Sequence, residues 1–93
     1  MIREKIGLPA TLAMAAEEAV EFAHACQKME RVLRGENPTP VTRQEAADAI
    51  EEEAADVMIC IEELWGAGVI QFPVMRLRMK EKLERAEERL RDV

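Results

Sequence analysis

From residue 9 to residue 34 apolar side chains return at steps of three and four: Leu12, Ala15, Ala19, Phe22, Cys26, Met29 and Leu33. That spacing predicts a first long helix with one buried stripe, opened by Pro9 and Thr11. "GENPTP" at 35–40, with one glycine and two prolines, ends it in a loop. "TRQE" at 42–45 then reads as a capping box, in which the Thr42 hydroxyl and the Glu45 carboxylate each serve a backbone N–H at a helix start. The second helix carries Ala47, Ile50, Ala54, Val57, Ile61 and Leu64 and stops around "WGAG" at 65–68. A short apolar connector, "VIQFP" at 69–73, leads into a third helix from Val74 to about Asp92, and Pro73 is tolerable in its first turn. Its apolar members are Met75, Leu77, Met79, Leu83, Ala86 and Leu90.

These elements predict an all-α fold: one domain over 1–93, an antiparallel bundle of three to four helices. A chain of 93 residues buries only a modest core, so completion by a homodimer or homotetramer is expected. Composition agrees, since aromatic residues make up 3% of the chain and tyrosine is absent, which disfavours sheets.

The formal charge of -6 argues against a nucleic acid polymer or an anionic membrane as partner. Charge is uneven: residues 1–72 hold 6 basic and 14 acidic side chains, a net of -8, whereas 73–93 hold 7 and 5, a net of +2. No apolar run approaches the roughly 20 residues of a membrane span and no signal-like segment opens the chain, so a cytoplasmic protein is expected. Cys26 and Cys60 both fall in helical patterns and read as free, buried thiols. The methionines read as core or interface filling.

The acids carry the candidate chemistry. With Glu18 as the zero of direction on a helix turning about 100° per residue, Ala15, Phe22, Cys26, Met29 and Leu33 point between roughly 20° and 80°, and Glu21 near -60°. From Glu53 the same step places Ile50, Val57, Ile61 and Leu64 between roughly 20° and 80°, and Asp56 near -60°. Each helix therefore bears an acidic i, i+3 pair at the same margin of its buried stripe. If the helices pack antiparallel, the pairs meet, and four close carboxylates either raise their pKa values or take a cation. All-oxygen ligation suits Mg2+ or Mn2+. The plainer alternative is that both pairs are solvated surface, as Glu51, Glu52, Glu62, Glu63, Glu84, Glu87 and Glu88 are expected to be.

"EEAVE" at 17–21, a spacer containing the loop, and "EAAD" at 53–56 followed by the apolar "DVMICIEEL" resemble the EExxE…ExxD signature of MazG-like nucleotide pyrophosphohydrolases, in the all-α NTP pyrophosphatase superfamily. The resemblance extends loosely over most of the chain. It implies Mg2+-dependent hydrolysis of a nucleoside triphosphate between the α and β phosphates, giving the monophosphate and pyrophosphate. It also implies metal ligation by Glu18, Glu21, Glu53 and Asp56, with Glu17 orienting or activating the attacking water. Mn2+ is a possible substitute.

A basic group is expected near the leaving pyrophosphate. Lys28 shares a helix strip with Glu21, near -80° on the same scale, and Arg31 and Arg34 follow less directly. Among Arg76, Arg78, Lys80, Lys82 and Arg85 on the third helix, the resemblance favours Lys80, Lys82 and Arg85 for binding phosphate, although Lys80–Glu84 and Glu81–Arg85 also have the spacing of surface ion pairs. Trp65 can stack on a base or pack at a subunit contact.

Two rival readings stand beside the enzyme. One is a noncatalytic helical interaction module whose acids serve solubility. The other is a di-iron bundle built on Glu21, His24 and Glu53, since Glu-x-x-His pairs occur in such proteins.

Overall fold

The computed structural model describes residues 1–36 and 40–92, so the middle of the loop expected at 35–40 lies outside the described residues. Four helices follow in order: α1 (Ile2–Ile6), α2 (Leu8–Arg34), α3 (Arg43–Gly66) and α4 (Phe72–Arg91). No strand occurs among the described residues. The all-α expectation therefore holds, and among the described residues no helix is long and apolar enough to cross a membrane.

The short α1 was not expected, because five residues are too few to carry a periodic signal. Gly7, at φ 85°, separates it from α2. That helix begins at Leu8, one residue before the predicted Pro9, which sits in its first turn. Thr11 is consequently inside the helix rather than capping it. Its side chain is fully buried, and its hydroxyl donates to the Gly7 carbonyl at 2.8 Å. At the other end Gly35, in the left-handed region at φ 71°, lets its own N–H reach the Val32 carbonyl and that of Glu36 reach Arg31, closing the helix with a Schellman motif.

The capping box forms as predicted: the Glu45 N–H donates to the Thr42 hydroxyl at 3.1 Å, and the Thr42 N–H to the Glu45 carboxylate at 3.3 Å. Helices α2 and α3 then pack antiparallel, bringing Glu18 beside Asp56 and Glu21 beside Glu53. The seam differs from the predicted stripe. Thr11, Ala25, Ala46, Cys60 and Glu63 are buried, while Leu12, Ala19, Cys26 and Leu33 are exposed. The stripe residues Ala15, Phe22 and Met29 on α2 and Ile50, Val57, Ile61 and Leu64 on α3 are half-buried beside the seam. Cys60 is thus the buried free thiol expected, and Cys26 is free but exposed.

Trp65 at the end of α3 meets Phe72 at the start of α4 with ring centroids 4.6 Å apart, which sets an elbow. Beyond it α4 stands off the pair: Phe72 and Met75 are half-buried, and everything from Arg76 to Asp92 is exposed. The radius of gyration, 16.7 Å, exceeds the roughly 12 Å of a compact chain this long. Within one chain, then, the bundle is an α2–α3 hairpin with α1 laid on it.

Candidate metal centre

Glu18 is half-buried on the α2 strip that also carries the buried Thr11 and Ala25, each about two turns away. Glu53 occupies the matching place between Ala46 and Cys60 on α3, and Asp56 lies one turn beyond it. One oxygen from each of Glu18, Glu53 and Asp56 lies within 4.8 Å of the other two. Ligands on Mg2+ at about 2.0–2.1 Å can be no more than about 4.2 Å apart. Only one pair among three ligands on an octahedral ion can stand opposite each other, so the remaining pairs must close to about 2.9 Å for all three to bind one Mg2+. As a donor set, three carboxylates suit a hard divalent ion.

The electrostatics report the crowding. Partial burial raises the Glu18 carboxyl above its ordinary 4.5, and the charges of Asp56, Glu53 and Glu21, with a hydrogen bond to Asp56, raise it further. Glu53 is raised in the same sense by burial and by Glu21, Asp56 and Glu52. Both carboxyls ionise less readily than an isolated glutamate, and a bound cation would offset the repulsion.

Of the four predicted ligands, three converge, and the fourth, Glu21, is exposed at the rim, near enough to act on Glu53 and Glu18. Glu17 is exposed beside it, and the two share a shallow hollow with Ala16 and Val20. Lys28 is exposed and makes no ion pair with the cluster among the described residues. Lys80, Lys82 and Arg85 lie on the projecting α4, away from their own chain's carboxylates. His24 is exposed and, within one chain, outside the convergent group; the di-iron arrangement draws on two copies of Glu21, His24 and Glu53 in a homodimer.

Glu63 corrects the expectation of an ordinary surface acid. The residue is 4% exposed, its carboxylate accepts the backbone N–H groups of Ile2 and Arg3 at 3.1 and 3.2 Å, and it pairs with the Arg3 guanidinium at 3.1 Å. The spacing 53, 56, 60, 63 is itself a three-four-three strip and is the signal that could have found it. By docking α1, Glu63 places Ile2 against Met14, Ile59 and Cys60, and these line a cleft of about 150 Å3 that ends at Glu18 and Asp56.

Comparison of the chain with family models, with curated proteins and with solved structures finds no match.

Proposed function

We propose that this chain is a MazG-like, Mg2+-dependent nucleoside triphosphate pyrophosphohydrolase that cleaves (d)NTP between the α and β phosphates to (d)NMP and pyrophosphate. The observation that supports it most is the convergence of Glu18, Glu53 and Asp56 from successive antiparallel helices, within 4.8 Å of one another. Mg2+, or Mn2+ in its place, would be held by these three with Glu21 at the rim, supplying positive charge between carboxylates and triphosphate and making water a stronger acid.

The protein's own groups divide the remaining work. Glu17, exposed beside Glu21, orients water and accepts its proton as the water oxygen bonds to the α phosphorus. The bond from that phosphorus to the bridging oxygen breaks, and pyrophosphate departs with the bridging oxygen. Lys28 is assigned to the charge that develops there. Lys80, Lys82 and Arg85 bind phosphate in this reading only where a neighbouring copy brings its α4 over the cluster. The apolar cleft between Ile2 and Cys60 is a place for the non-phosphate end of the substrate. The active species is a homodimer or homotetramer.

The test is pyrophosphate release from a panel of ribo- and deoxyribonucleoside triphosphates with Mg2+ and with Mn2+. Turnover of at least one substrate, lost in Glu53→Gln and in Asp56→Asn, supports the reading; full turnover in those variants contradicts the site assignment.

A further inference from the structure

Two apolar side chains line the cleft beside the carboxylates without being consumed by the core: Ile2 on α1 and Ile59 on α3 are 43% and 46% exposed. Met14 and the buried Cys60 lie with them, and Glu18 and Asp56 close one end. A group seated there is next to two of the three convergent acids. The cleft offers about 150 Å3, and an apolar cavity of about that size accommodates one benzene-sized ring. A second fused ring would have to displace a wall.

The wall that carries Ile2 is a separate piece. Helix α1 has five residues and buries none of them, too few to persist as a helix unaided. What fixes it is polar: the Glu63 carboxylate accepts the N–H groups of Ile2 and Arg3 and pairs with the Arg3 guanidinium. At its other end Gly7 lies at φ 85° and ψ 164°, a conformation open essentially only to glycine. A Cβ there would meet nothing within 4 Å, so the backbone angle and not space requires the glycine. The Gly7 carbonyl is pinned to α2 by the N–H and the hydroxyl of the buried Thr11, at 3.1 and 2.8 Å. One carboxylate and one glycine angle therefore fix where Ile2 stands.

We infer that Ile2 is a specificity-determining residue that limits the cleft to the single ring of a pyrimidine base, and that Glu63 is the positioning residue that holds Ile2 there. The inference deepens the proposed function and rests on it for the triphosphate attached to that base. Its test reads binding and not turnover, so selectivity and hydrolysis fail separately.

The full chain is titrated by calorimetry, with Mg2+, against the α,β-methylene analogues of dUTP, dCTP, dATP and dGTP, which lack the bridging oxygen at the scissile position. The pyrimidine analogues should bind at least about tenfold more tightly than the purine ones, the lower end of what one unaccommodated group costs in an apolar pocket. They should also shift the Ile59 methyl signals in NMR spectra. Ile2→Ala should raise purine affinity by about tenfold and leave pyrimidine affinity within about threefold. Glu63→Gln and Gly7→Ala act through the position of Ile2. Both should narrow the pyrimidine preference while Mn2+ affinity stays unchanged, a combination that general loss of folding would not give. Should either fail to fold, Ile2→Ala, at an exposed position, still decides. Equal binding of purines and pyrimidines by the unaltered chain, no binding of any analogue, or a preference untouched by Ile2→Ala would overturn the inference. Selective pyrimidine binding with natural dUTP and dCTP left uncleaved would uphold it and contradict the hydrolase.

Discussion

The Arg3 guanidinium stands 3.1 Å from the Glu63 carboxylate, which also accepts the N–H groups of Ile2 and Arg3. One side chain near the end of α3 thus anchors α1 and, through Ile2, one wall of the cleft beside Glu18 and Asp56. Gly66 makes room for it, since a side chain there would run into the Arg3 guanidinium. Glu63→Gln, which retains shape and removes charge, should lower the melting temperature by several degrees and speed amide exchange through residues 2–6 first. Gly66→Ala should reproduce the exchange effect while leaving the Glu63 charge in place.

Two sets of carboxyls push stability in opposite directions with pH. Burial alone would raise Glu63, but the backbone hydrogen bonds and Arg3 outweigh it and hold its pKa below 4.5. Its contribution is present above 4.5 and lost as pH falls through the lowered value. Glu18 and Glu53 are raised, so the native state binds more protons than the unfolded chain, and stability declines as pH rises from 4.5 through their folded values. Metal-free melting temperatures should therefore fall with rising pH over that window, and saturating Mg2+ should abolish the fall. Melts with and without Mg2+ across the window check both signs.

Asp56→Asn separates repulsion from ligation. Removing this charge relieves Glu18 and Glu53, so the metal-free variant should melt higher than the unaltered chain. Mn2+ affinity, followed by calorimetry, should meanwhile fall by about a hundredfold or more, the upper end of what loss of a mere supporting group costs.

Much of this site was legible in the sequence because it is local. The i, i+3 acids on α2 and on α3 share an offset from their stripes, and direction around a helix follows from residue number alone. For Glu63 the spacing 53, 56, 60, 63 signals burial, but its partner was not legible, since it lies 60 residues away at a short helix without a period of its own. The seam was misjudged by a fraction of a turn for a related reason. Hydrophobicity marked Leu12, Cys26 and Leu33 for burial, but the buried positions of the pair are Thr11, Ala25, Ala46, Cys60 and Glu63, a fraction of a turn away.

That view of the seam is open to measurement. Ala46 is 2% exposed, and overpacking by Ala46→Leu should cost about 1–3 kcal/mol in urea unfolding. Ala13→Leu, at an exposed position of α2, should stay within about 0.5 kcal/mol of the unaltered chain.

The proposed chemistry meets its most direct test in 31P NMR of nucleoside triphosphates turned over with Mg2+ in 18O-labelled water. The account predicts pyrophosphate and a nucleoside monophosphate whose α phosphorus carries the label. Orthophosphate with a nucleoside diphosphate, label in the pyrophosphate, or no turnover across the panel would contradict it.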